Sequence, residues 1–204
     1  EYLPDYEPVV KLDAENPITM GPIADPNYYM EFKLLQDEAM NKAKDVLKKE
    51  DEKFGEIFGR SYGLIEEYRT DGADVVLVTM GSLAGTIKDV VDRLREKGKN
   101  VGLVRVRLYR PLPKEELVKA LKDFDVIGVI EKDNCFGLGG GALFNDIKSI
   151  LYKKSSAEII GFVAGLGGRD IPYWDIEKAY ELCFKAKTEE VPEVVWLGIR
   201  EWFK

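Results

Sequence analysis

The sequence predicts an α/β fold in three layers, with helices on both faces of a mostly parallel sheet. Three observations carry this. From residue 74 onward, short runs of Val and Ile alternate with stretches whose apolar residues recur every three or four positions. The runs DVIGVIEK (125–132) and EIIGFVAG (158–165) are nearly all apolar, as strands covered on both faces must be. Each strand is linked to the next through a helix, and such crossovers join parallel neighbours.

The elements follow in order. Residues 1–30 hold five of the nine prolines (Pro4, Pro8, Pro17, Pro22, Pro26), so they read as an extended arm rather than a helix interior or central strand. Tyr2, Tyr6, Tyr28 and Tyr29 give that arm apolar area to bury on a partner, and the opening reads like the interior of a longer polypeptide. From residue 31 to about 53, Phe32, Leu35, Ala39, Ala43, Val46 and Leu47 lie at helical spacing among charges, predicting an amphipathic helix that the glycines of FGEIFGRSYG break. The folded domain is placed at 63–204. Its first strand is 64–68 and its second 74–80, and the Asp71-Gly72 turn makes them antiparallel if they pair directly.

Ser82 then caps a helix that buries Leu83, Ile87, Val90, Val91 and Leu94 and stops at Gly98. Residues 100–109 form a strand ended by Pro111 and Pro113, and LPKEELVKALKDF a helix turning Leu117, Leu121 and Phe124 inward. After strand 125–132 the loop CFGLGGG opens a helix carrying Leu143, Ile147, Ile150 and Leu151. Strand 158–165 runs into GLGGRD and a helix around Ile176, Ala179, Tyr180 and Cys183. The closing VPEVVWLGIREWF fits a short strand or a turn of helix.

Composition narrows the function. A net charge of −7 without a basic run speaks against nucleic acid. No stretch has the roughly 20 apolar residues that span a bilayer, so the expectation is a soluble, cytoplasmic protein. The lack of histidine removes the commonest general base, and two cysteines without CxxC spacing argue against a zinc or iron–sulfur site. Abundant Lys and Glu beside a single glutamine, Gln36, resemble thermophile usage.

Candidate site residues cluster where strands end. Gly81 and Ser82, then Gly139 and Gly140, then Gly167, Gly168 and Arg169 lie in loops that open helices. Such glycines either let backbone amides approach an anion or serve tight turns and close packing. TMGSLAGT fails the GxGxxG pattern and the next strand lacks a ribose-binding acid, which favours the packing role. Glu131 ends a buried strand, where it is a candidate acid or, more simply, an acceptor for loop amides. Arg105, Arg107 and Arg110 are candidates for carboxylate binding or for an interface, and Cys135 for a reactive thiol or, with no histidine or activating charge in view, a packed one.

Taken together and in this spacing, EEYRTDGADVVLVTMGS, VGLVRVRLYRPLP, DVIGVIEKDNCFGLGGG and FVAGLGGRD resemble the C-terminal half of the alpha chain of pyruvate:ferredoxin oxidoreductases. A more distant likeness to the C-terminal domain of transketolase rests on Gly81-Ser82, Arg110-Pro111-Leu112-Pro113 and Glu131 with its glycine loop. The resemblance implies a five-stranded sheet whose first strand is antiparallel. It further implies a complex of alpha, beta, gamma and delta subunits that uses thiamine diphosphate, magnesium, iron–sulfur clusters and CoA to oxidise pyruvate to acetyl-CoA and reduce ferredoxin. It assigns none of these cofactors and no catalytic residue to this chain, whose role would be structural and whose partners would be the other subunits and the N-terminal half of the alpha chain. The alternative from another class is a stand-alone anion- or nucleotide-binding module.

Overall fold

The computed structural model describes residues 3–21, 23–200 and 202, so Tyr2 and Pro22 of the expected arm lie outside the described residues. The chain forms two compact units, residues 1–39 and 40–204. In the first, residues 3–21 hold no helix or strand, and the backbone amides of Tyr28 and Tyr29 bond to Asp25 O, both at 3.1 Å, where helix α1 (Tyr29–Phe58) begins. The helix runs past the expected stop near residue 53. Gly55 sits inside it, because a helical glycine costs only about 1 kcal/mol against alanine, and Gly59, at φ 69°, ends it instead.

No residue of α1 is buried. The part that belongs to the second unit makes polar contacts: Lys44 pairs with Glu115 and Lys48 with Glu116, both at 2.6 Å. Asp51 accepts the amides of Tyr62 and Gly63 at 2.8 and 2.9 Å, turning the chain back toward the sheet.

The second unit is built on strands β1 (Ile65–Tyr68), β2 (Val75–Met80), β3 (Val101–Val106), β4 (Val126–Glu131), β5 (Glu158–Val163) and β6 (Val194–Trp196). They form a six-stranded sheet in the order β1-β3-β2-β4-β5-β6, one strand more than the five implied by the resemblance, because residues 194–196 pair in parallel with β5. Helices α2 (Leu83–Glu96) and α5 (Tyr173–Ala186) share one core layer with Val75, Leu77, Leu103 and Phe162. Helices α3 (Lys114–Leu121) and α4 (Ala142–Leu151) share the other with Val76, Val78, Val104 and Val129. Consecutive residues of one strand thus feed opposite layers, and both are apolar, so β2 and β4 read as hydrophobic runs broken only near their ends by Thr79 and Glu131 and by Gly128. Every residue foreseen for the buried faces of α2, α4 and α5 is buried, whereas Phe124 lies beyond the end of α3 and is half-buried.

The first strand is antiparallel to its neighbour, as expected, but that neighbour is β3 and not β2. The crossover through α2 lays β3 against one edge of β2, and β4 takes the other edge, so β2 is central and β1 adds outside β3. The turn at Asp71-Gly72 therefore carries the chain across the end of β3. Gly102 allows that crossing, since a Cβ there would stand 2.8 Å from Arg69 O. Arg95 locks it, donating to Arg69 O at 2.6 Å and to Val101 O at 2.8 Å.

Candidate functional site

Because β2 to β6 are parallel, the segments that follow β2, β3, β4 and β5 emerge at one edge of the sheet. Most of the sequence-predicted positions gather on this carboxyl rim: Gly81 and Ser82 after β2, Arg110 after β3, Glu131 with Gly139 and Gly140 at and after β4, and Gly167, Gly168 and Arg169 after β5, whereas Arg105 lies within β3. This is the customary ligand-binding edge of an α/β sheet.

At its centre Glu131 is only 4% exposed, and its carboxylate accepts the Leu143 and Phe144 amides, both at 2.9 Å. Asp133 accepts the preceding amide, Ala142 N, also at 2.9 Å. The first three N–H groups of α4 thus end on the protein's own carboxylates, satisfying donors that a helix start leaves free and complementing its dipole. The loop glycines make room for this. A Cβ on Gly141 would stand 2.3 Å from the Glu131 carboxyl carbon, and one on Gly140 2.3 Å from the Phe144 ring. Burial, the largest influence, raises the Glu131 carboxyl above the ordinary glutamate value against the two amide bonds, and the charges of Asp133 and Asp146 add to the rise.

The arginines are likewise engaged within the chain. Arg107 meets Glu66 at 2.7 Å and Arg105 meets the same oxygen at 3.7 Å, while Lys88 holds the other Glu66 oxygen. Burial lifts the Glu66 carboxyl, but the Lys88 hydrogen bond and the charges of Arg107, Lys88 and Arg105 outweigh it, so the net shift is downward. Arg110 binds Asp146 at 2.7 Å and lies over the Tyr109 ring at 4.0 Å, and Arg169 donates to Gly198 O at 2.6 Å. Ser82 occupies the N-cap position of α2 without a side-chain cap bond, so the predicted cap is not made by its hydroxyl. Cys183 is buried, which pushes its thiol up to about 12, and Cys135 sits half-buried in the glycine loop.

The sequence reading did not single out Glu66, Asp133 or Asp146. An acid two residues past a strand-end glutamate and before a glycine loop was a usable signal for Asp133, whereas Glu66 and Asp146 acquire their partners only through strand order and packing.

Two hollows lie beside Arg169. One of about 180 Å³ is lined by Val163, Leu166, Arg169, Trp196 and Leu197, and one of about 430 Å³ by Arg169, Ile199, Arg200 and Trp202. Among the described residues no group of three or more His, Cys, Asp or Glu side chains is placed to hold a metal ion, and no helix is long and apolar enough to cross a membrane. The residues present do not fit an iron–sulfur cluster, which needs four protein ligands, or a diphosphate at the start of α4, where Glu131 and Asp133 already stand.

These features define an α/β domain in which the first turn of α4, on the carboxyl rim, is capped by the protein's own carboxylates. The chain belongs to the family of the pyruvate:ferredoxin oxidoreductase core domain II, whose model matches residues 73–176. It is 40% identical over 98% of its length to pyruvate synthase subunit PorA of Methanothermobacter thermautotrophicus, covering 50% of that protein. The PorA subunit of Methanocaldococcus jannaschii is 44% identical over 98% of the chain, with 51% of that protein covered. The ketoisovalerate oxidoreductase subunit VorA of Pyrococcus abyssi is 39% identical over 97%, with 49% covered. The chain thus spans about half the length of the curated relatives it matches. Among solved structures, 2-oxoglutarate:ferredoxin oxidoreductase from Magnetococcus marinus, with 2-oxoglutarate, coenzyme A and succinyl-CoA bound, aligns over 78% of this chain and 24% of that one. Its TM-score of 0.51 at 21% identity supports the fold.

Proposed function

We propose that this chain is the assembly domain of the alpha subunit of a 2-oxoacid:ferredoxin oxidoreductase, of the pyruvate-oxidising type, and that it does not turn over substrate by itself. The observation that carries the reading is the self-capped start of α4, where Glu131 and Asp133 accept its first three amides, with Arg110 paired to Asp146 beside it. Similarity to pyruvate synthase subunits at 40% and 44% identity and to a ketoisovalerate oxidoreductase subunit at 39% supports a 2-oxoacid as the substrate of the complex. In this reading residues 1–30 form a docking arm, 31–62 a connecting helix and turn, and 63–204 the module that holds neighbouring subunits in a cytoplasmic complex. Thiamine diphosphate, magnesium, iron–sulfur clusters and CoA would be bound elsewhere in that complex. Gly81, Ser82, Gly139, Gly140, Gly167, Gly168 and Arg169 would face its other parts.

Pyruvate-dependent reduction of a viologen dye, with CoA and thiamine diphosphate supplied, tests the proposal. The purified chain is expected to match a no-protein control, while a complex containing it turns over. Turnover by the chain alone would overturn the assignment.

A further inference from the structure

Lys88, Arg105 and Arg107 converge on a single counter-charge. Arg107 meets Glu66 Oε2 at 2.7 Å, Arg105 lies 3.7 Å from the same oxygen, and Lys88 holds the other. The acids around them are committed elsewhere. Asp92 accepts the Tyr68 hydroxyl and pairs with Arg69 at 2.7 Å, and Asp51 accepts the amides of Tyr62 and Gly63. Three cations thus share one carboxylate, and donors outnumber acceptors. Arg107 has the Tyr62 ring at 5.0 Å and Lys88 the Tyr68 ring at 5.0 Å, which compensates each in part. Among the described residues the Arg105 guanidinium has neither a ring nor a hydrogen bond, and Arg107 Nε is buried without an acceptor. The side chains of Lys88, Arg105 and Arg107 are 28%, 29% and 22% exposed. They are too enclosed for full hydration, which makes an unmatched charge costly, yet open enough for a small group to reach.

We propose that Arg105, flanked by Lys88 and Arg107, is the centre of a binding site for a small oxyanion, one carboxylate or phosphate group, beside α2. Alternation along β3 puts Arg105 on the same side as Leu103, which packs in the layer of α2, and Lys88 reaches it from α2 itself. The planar fork of an arginine takes two oxygens of such a group at once. A second negative charge also offsets the repulsion among three cations gathered at one glutamate. A neutral or cationic ligand gains nothing from this arrangement. The site gives a ligand to arginines that the proposed function leaves unused, and it does not depend on that function.

The probes are sodium phosphate and sodium malonate, each titrated into the purified chain while sodium chloride holds the ionic strength constant. Nitrogen NMR of the arginine side chains is expected to show the Arg105 Nε–H signal moving along a saturating curve, half complete at about millimolar concentration. The probe that saturates first names the class of anion. In Arg105→Gln, followed through the Arg107 signal, binding should weaken at least about tenfold, as the loss of a charge-assisted pair of hydrogen bonds requires. Circular dichroism matching the wild type would show that this variant keeps its fold. Lys119→Gln, which removes an exposed charge on α3, should leave binding unchanged. Shifts that rise without saturating and are shared by other arginines would mean an adventitious ion only, and would overturn the proposal, as would undiminished binding by R105Q. Saturation seen in the chain but lost in the intact complex would place a neighbouring acidic side chain in the site, and would overturn its assignment to a small ion.

Discussion

At Glu131 one side chain ends a strand and begins a helix. Its two oxygens take two of the three α4 amides that the rim carboxylates satisfy, and Asp133 takes the third. The substitution Glu131→Ala removes both acceptors from a buried position and is expected to cost about 1–3 kcal/mol, as unsatisfied buried donors do. Urea unfolding measures it. The pH dependence has a definite sign. Because burial raises the folded carboxyl above its unfolded value, the folded state holds the proton more tightly. The carboxyl's contribution is complete below the ordinary glutamate value and is lost as pH rises through the raised one. The stability gap between wild type and variant should therefore narrow as pH climbs from about 4 toward neutrality, starting near the ordinary glutamate value. A gap that widens over that range would contradict the assignment. The candidacy of Glu131 was legible from its place at the end of an apolar run, and the acceptor role followed from the glycine loop beyond it. Which amides it holds was not, because that depends on how α4 swings back over the sheet.

Among the elements, the connection from β1 to β2 shows how local and global signals divide. Asp71-Gly72 announces a turn, and a turn there exists, with Ala73 N bonded to Thr70 O at 3.1 Å. A turn between two strands need not be a hairpin. The pairing is decided by β3 and β4, which occupy both edges of β2. Gly102 is where this choice is most exposed to a test. The added methyl of Gly102→Ala would meet Arg69 O at 2.8 Å and Thr70 Cα at 3.0 Å, both backbone atoms that no rotamer change can move. The variant is expected to lose about 1–3 kcal/mol, the usual cost of overpacking, with faster amide exchange in β1 and the turn than in β4. Thermal unfolding equal to wild type would show that the crossing is looser than drawn. The amphipathic pattern of α1 predicted a helix correctly, yet no residue of it is buried. An apolar stripe records that a surface is meant to be covered and leaves the covering partner unnamed.

For the whole molecule, the carboxylates that occupy the start of α4 make a prediction against the competing module. Calorimetric titration of the chain with CoA, thiamine diphosphate, NAD and ATP is expected to show no binding at about micromolar strength, which would need about 8 kcal/mol of specific contact. Binding that tight would favour a nucleotide module and require another role for the rim. What the sequence determined by itself was the α/β class, the parallel core strands and the buried faces of α2, α4 and α5, because hydrophobic periodicity is a local property that layer packing leaves unchanged. Strand order, the sixth strand at Val194–Trp196 and the Glu66 cluster were decided only in three dimensions. They depend on contacts between residues distant in the chain. Arg105 and Arg107 illustrate the difference: alternation put them on one face, and only the placement of β1 beside β3 turned two candidate ligand-binding arginines into partners of a single glutamate.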